Sequence, residues 1–195
     1  MMKLFLLLLF IILIKSIESK KLIRKFQLVR DNDDMNKNGL SRFSILDSNG
    51  KEYLYRLRDS YTYNNSLLLI VYPSKNIVAY LQGQWTNETL NVTYDIYNYT
   101  TNQWTNGTIK KIFNLFIEKY FIEWNNENFI MKKKIFSINH KFYDENQYVL
   151  AQFRMSFRWF NWSLIKYNLQ IYSDKLPDAL YFFSIAIVDH RNLIQ

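Results

Sequence analysis

Leu176–Arg191, LPDALYFFSIAIVDHR, is the stretch whose reading decides the fold. Between Ala179 and Val188 only Ser184 is polar. Pro177 suits the first helical position, where a missing N–H costs nothing. Asp178 at the start, and His190 and Arg191 at the end, carry the signs that the helix dipole favours. Ile185, Ile187 and Val188 are β-branched and argue for a strand, and periodicity alone does not assign a short apolar run. Taken as a helix, the run points Leu180, Phe182, Phe183, Ile185, Ile187 and Val188 around the whole circumference. A helix apolar on every side belongs in a core or in a membrane. A span needs ~20 apolar residues, about twice what this run offers, so a core helix is expected. At ~1.5 Å per residue it is ~20–25 Å long. Strands of six or seven residues at ~3.3 Å each have that length, so the helix can thread a barrel made of them.

The rest of the chain supplies such strands. Expected segments are Leu22–Arg30, Arg42–Asp47, Glu52–Arg58, Leu67–Tyr72, Ile77–Gln84, Asn91–Asn98, Ile109–Phe113, Phe116–Trp124, Asn128–Ile138, Tyr148–Trp159 and Leu164–Tyr172. Ser48-Asn49-Gly50 reads as a type I′ hairpin turn. Pro73-Ser74-Lys75-Asn76 and Asn125-Asn126-Glu127 read as further turns. Short strands with closely spaced turn signals and one helix predict an all-β sheet system. No Pro/Gly/Ser linker divides residues 20–195, so they form one domain. Gln84-Trp85-Thr86-Asn87-Glu88-Thr89 is echoed as Gln103-Trp104-Thr105-Asn106-Gly107-Thr108. Two copies do not make a repeat protein; the readings are two similar strand ends or turns on one edge of the barrel, or a chance similarity in a Trp-, Asn- and Thr-rich region.

Residues 1–19 read as a secretory signal peptide: Lys3 is the positive n-region and Leu4–Ile14 the apolar h-region. The alternative is a short uncleaved anchor. Six sequons are present, at Asn64, Asn87, Asn91, Asn98, Asn106 and Asn161. With 21 Asn and 21 Ser plus Thr in the chain, each site alone is weak, and the cluster between Asn64 and Asn106 carries more weight as a set of N-glycosylation candidates. The chain has no cysteine, which excludes disulfides, thiolate chemistry and Cys-type zinc sites.

The order of elements resembles the tubby C-terminal-like superfamily, and within it the LURP-one-related group. Phe43-Ser-Ile45-Leu-Asp47-Ser-Asn-Gly50-Lys-Glu-Tyr-Leu-Tyr55-Arg is similar to that group's opening hairpin. Tyr148–Arg154, Met155–Trp159 and Tyr167–Ile171 are similar to its late strand pair, and Leu176–Arg191 to its closing helix. The resemblance covers roughly Leu22–Arg191. It implies a mainly β fold: a closed antiparallel barrel of about twelve strands around a buried C-terminal helix. Tubby proteins bind phosphoinositides on the cytosolic side of membranes. A leader and sequons depart from that pattern, and no residue here matches a phosphoinositide pocket.

Chemistry-bearing motifs are scarce. His140 and His190 lie far apart in sequence, with no metal-ligand spacing around either, and no phosphate loop or nucleophile elbow occurs. Asp144-Glu145 reads as a turn rather than an acid/base pair. No catalytic residue, metal or cofactor is therefore expected. The positive lead is basic: net charge is +8. In Lys132-Lys133-Lys134 at most two lysines share a strand face; Lys132 and Lys134, with Arg154 and Arg158 among aromatics, form a candidate anionic-ligand surface. The competing reading is a solvated strand face with edge-protecting lysines. The expectation is a secreted, monomeric, non-enzymatic glycoprotein that binds an unknown protein or an anionic lipid. It has no nucleic-acid partner and no membrane span once the leader is removed. The alternative is a secreted lipocalin-like carrier of a small apolar ligand.

Overall fold

A computed structural model of the chain describes residues 21–31, 40–60, 66–85, 90–112, 114, 117–134, 136–156 and 165–194, with side chains as far as His190. The leader, Asn64, Asn87, Asn161 and Arg158 lie outside the described residues.

Among the described residues, twelve strands precede one helix. They are β1 (Arg24–Arg30), β2 (Phe43–Leu46), β3 (Tyr53–Asp59), β4 (Ser66–Val71), β5 (Ile77–Trp85), β6 (Leu90–Asn98), β7 (Gln103–Ile112), β8 (Ile117–Trp124), β9 (Glu127–Lys134), β10 (Asn139–Tyr143), β11 (Val149–Ser156) and β12 (Lys166–Ile171), followed by α1 (Asp178–Ile194). Each strand pairs antiparallel with its neighbours in sequence, and β1 closes the ring on β12. The expected barrel with its C-terminal helix is the fold.

Period-2 alternation sets the two faces. On β6, Leu90, Val92, Tyr94 and Ile96 are buried while Asn91 and Thr93 are exposed. Every residue of α1 from Ala179 to His190 is buried, and Leu180, Phe182, Phe183, Ile185, Ile187 and Val188 are at most 2% exposed. The helix touches opposite walls. Phe182 packs edge-on to Phe26 of β1 at 5.2 Å, Tyr181 on Phe142 of β10 at 4.8 Å, and His190 on Trp85 of β5 at 5.6 Å. Ser184, the polar residue in the run, donates its hydroxyl to the Leu180 carbonyl at 2.7 Å, which satisfies it inside the helix. The Tyr181 hydroxyl is buried without a hydrogen-bond partner.

Both ends of α1 are clamped by β1. Arg24 pairs with Asp178 at 3.0 Å and also bonds Asp174. Arg30 pairs with Asp189 at 3.3 Å, and the Tyr167 hydroxyl donates to the same carboxylate at 2.7 Å. Burial pushes the Asp178 carboxyl above its ordinary range, and the Arg24 guanidinium opposes that shift without cancelling it.

Several local expectations change. The helix begins at Asp178, with Pro177 one residue ahead and its carbonyl accepting from Leu180 N–H at 3.1 Å. The β2–β3 turn is not type I′: Gly50 has φ 70° and Asn49 is not among the positive-φ residues. Asp47 organises this turn instead, its carbonyl accepting from Gly50 N–H and its carboxylate from the Lys51 and Glu52 N–H groups. A three-residue loop with Gly in the left-handed region results. Two positive φ values, 50° and 62°, occur at Asn125 and Asn126 in the β8–β9 turn. The expected strand Asn128–Ile138 ends early, as β9 at Lys134, and β10, which begins at Asn139, lies past it in a stretch given no strand; between them the Ser137 hydroxyl makes a tight turn by accepting from Asn139 N–H at 3.1 Å. The two echoed segments do not share an edge. Trp85 ends β5 opposite Leu90, whereas Trp104 lies near the start of β7 opposite Tyr97. Both partners are on β6, so the two tryptophans sit at opposite rims.

Candidate functional site

On the outer face of β8 to β12 and β1, side chains whose neighbours in sequence fill the core project to solvent. Register lines them up in rows. Lys119 lies opposite Lys132, and Lys132 opposite Lys141. The row continues through Gln152 and Gln170 to Lys25. In the neighbouring row Arg154 lies between Asn139 and Asn168. Lys134 and Lys166 occupy outward positions nearby, on β9 and β12.

Directly opposed residues on antiparallel strands are ~4.5–5.5 Å apart at Cβ, and like charges there are destabilising. Three lysines abreast therefore cost stability unless something neutralises them. Partial burial first, and then the charges of Lys119 and Lys134, lower the Lys132 ammonium from its ordinary value. Its Nζ donates to Gln147 at 3.0 Å and sits 4.1 Å over the Tyr143 ring. Among the described residues, none of Lys25, Lys119, Lys134, Lys141 and Arg154 is in an ion pair, whereas Arg24, Arg30, Arg42 and Arg56 all are. The carboxylate at an outward position of these strands, among the described residues, is Glu123, at the far end of β8.

Amides form the floor between the cations. Gln152 donates to Gln170 at 2.8 Å and to the Tyr172 hydroxyl at 2.7 Å, and Asn168 donates to Ser156. A cavity of about 250 Å³ is lined by Lys25, Asn139, Gln152, Arg154, Asn168 and Gln170, with Phe153. Two cations flanking neutral donors can hold an anionic headgroup through charge-assisted hydrogen bonds.

The structure brings Lys132, Lys134 and Arg154 together on one face. Lys133 points the other way, opposite Glu118. Lys25, Lys119 and Lys141 were missed by sequence reasoning. Alternation puts each outward, but no local signal says which strands become neighbours.

His140 and Asp144 have their partners within the fold. His140 is buried, stacked on Phe153 at 4.7 Å, with its Nε2 3.2 Å from Glu118. Asp144 sits in the β10–β11 turn, accepting from Tyr148 N–H at 2.8 Å and from Lys175 Nζ at 2.7 Å. No group of three or more His, Cys, Asp or Glu that could hold a metal occurs among the described residues. Of the sequons, Asn91 and Asn106 are exposed on the outer surface, while Asn98 accepts from Thr100 N–H at 2.9 Å in the β6–β7 turn. Among the described residues, no helix is long and apolar enough to cross a membrane. Comparison with protein-family models, with curated proteins and with solved structures finds no match.

Proposed function

We propose that the protein is a non-enzymatic, secreted glycoprotein whose basic outer face docks on an anionic lipid surface. The observation that carries this reading is the row Lys119–Lys132–Lys141 beside Arg154, cations held in register with no ion pair among the described residues. A row of like charges is costly to keep, and an external polyanion removes that cost. The leader and the sequons support the secretory route, and the exposed Asn91 and Asn106 leave room for glycans. What favours docking over the carrier alternative is that α1 fills the space where a carrier barrel holds its ligand. The tubby-like, LURP-one-related family remains our proposal for the chain's relatives, resting on the order of its motifs.

The test is vesicle co-sedimentation of purified protein with phosphatidylcholine alone and with added phosphatidylserine. A lysine near an anionic surface contributes ~1 kcal/mol. Changing Lys119, Lys132 and Lys141 together to Gln should therefore weaken binding to the anionic vesicles about 100-fold. Equal binding of wild type and triple variant, or equal binding to both vesicle types, would overturn the proposal.

A further inference from the structure

The two echoed segments share more than composition: each sets a tryptophan two residues before a sequon asparagine. The second copy lies wholly among the described residues. Trp104 and Asn106 stand on the same outer face of β7, ~6.8 Å apart along the strand, and both are exposed. Trp104 belongs to an aromatic shelf. Its ring lies 5.2 Å from Tyr80 and 5.3 Å from Tyr97, and Tyr99 meets Tyr97 edge-on at 5.0 Å. Tyr99 is 63% exposed and Trp104 46%. So much open aromatic surface on the outside of a filled barrel has no role in the core.

On the other side of Asn106, ladder pairing between β7 and β8 stops at Ile109–Ile122, so the first half of β7 has no ladder partner on β8. A groove of about 690 Å³ lies there, lined by Thr93, Asp95, Asn106, Thr108, Asn125 and Asn126, among others. Asn106 thus sits between an aromatic shelf and a groove of hydroxyls, amides and two carboxylates, Asp95 and Glu123.

We propose that Asn106 carries an N-linked glycan whose first N-acetylglucosamine residues pack over the Trp104 shelf and turn their polar edges into the adjoining groove. A pyranose ring has an apolar C–H face that fits an aromatic π face, and its hydroxyl and acetamide groups need the partners that the groove supplies. In the attachment step the Asn106 amide nitrogen forms a bond to C1 of the sugar of a lipid-diphosphate-linked oligosaccharide. The C1–O bond breaks, the lipid diphosphate leaves with the electron pair, and the nitrogen gives up one proton. The inference rests on the secretory-route reading. Asn91 is the internal comparison: it is an exposed sequon on β6, opposite Gln84 and Lys110, with no aromatic shelf among the described residues.

The full chain, with its own leader, is made in an animal secretory cell as wild type, Asn106→Gln and Asn91→Gln, and also without glycosylation in bacteria. Gel mobility before and after enzymatic N-glycan removal reads occupancy, and denaturant unfolding reads stability. Asn106→Gln should remove one glycan and lower the folding equilibrium constant about threefold to tenfold, the size of an aromatic pair. In the bacterial protein the same change should have no effect. Asn91→Gln should leave stability unchanged in both. Adding Trp104→Thr should abolish the Asn106→Gln effect, whereas Trp104→Tyr, which keeps a ring, should retain it. The Tyr variant and the two-host comparison still decide if the Thr variant does not fold. If no form of the secreted chain shifts on glycan removal, the secretory reading falls and the inference with it. If other sequons shift but Asn106 does not, only the inference falls. If Asn106 is occupied but its loss is independent of Trp104 or equal in both hosts, the shelf is overturned.

Discussion

Tyr181 and Tyr167 are both almost fully buried, and changing each to Phe should move stability in opposite directions. The Tyr181 hydroxyl sits inside the barrel with no hydrogen-bond partner, and its ring packs edge-on to Phe142 at 4.8 Å. A buried unsatisfied hydroxyl costs about 1–3 kcal/mol. Tyr181→Phe removes that cost and keeps the ring contact. The void left by the oxygen is a fraction of the ~30 Å³ share of a water molecule, so at ~24 cal/mol per Å³ it returns less than about 0.7 kcal/mol. The expected net gain is about 1–2 kcal/mol, or about 3–6 °C in Tm for a chain of this length. Burial also pushes the Tyr181 phenol far above its ordinary range, so it stays neutral at any working pH. Tyr167→Phe instead removes a 2.7 Å donor from Asp189, which is 1% exposed, and should cost about 1.5–3 kcal/mol. Guanidinium and thermal unfolding of both variants beside wild type, with unchanged m-values, measure the pair. A Tyr181→Phe protein at least 1 kcal/mol less stable than wild type would refute the reasoning, because the hydroxyl would then have a partner.

Arg30→Gln leaves the Asp189 carboxylate with a weakened set of partners inside the barrel and should lower stability by about 2 kcal/mol, read by the same unfolding assay. Gly107→Ala puts a Cβ 2.2 Å from the Tyr94 hydroxyl and 2.5 Å from the Glu123 carbonyl. It should cost about 1–3 kcal/mol and break the Tyr94–Glu123 hydrogen bond while leaving the Asn106 sequon intact; a neutral result in denaturant melts would count against that packing. Desolvation raises the Asp144 carboxyl, but Lys175 and the Tyr148 N–H outweigh it, and the net position is below 3.8. A depressed folded value contributes stability above the unfolded pKa and loses it as pH falls through the folded one. Asp144→Asn should therefore be less stable than wild type at pH 7, with the gap closing as pH falls through the folded value; a gap that does not change with pH would sink the assignment.

The central helix was legible because its signal is local: an apolar run too short for a membrane and too apolar for a surface. Most strands were legible for the same reason, as on β6, where Leu90, Val92, Tyr94 and Ile96 alternate with polar residues. β10 was missed because its turn is built by the Ser137 hydroxyl, without Gly, Pro or Asn-Gly to announce it. The start of β7 was missed because its inward positions carry no apolar signal: Thr105 is polar, and Gly107 leaves room for the Tyr94 ring and the Glu123 carbonyl. Half of the basic face was hidden for a different reason. Lys119, Lys132 and Lys141 are ordinary outward lysines one strand at a time, and only cross-strand register makes them a row.

The clamp from Arg24 and Arg30 onto Asp178 and Asp189 joins the first strand of the barrel to the helix that follows all twelve strands. At about 5–20 residues per second, the wall is translated well before its filling. Until α1 emerges, the apolar faces of Phe26, Phe142 and Tyr167 have nothing to close on. The apolar inner face of the wall is therefore the last surface of the domain to gain its cover as the chain is made, because the helix that covers it is translated after all twelve strands.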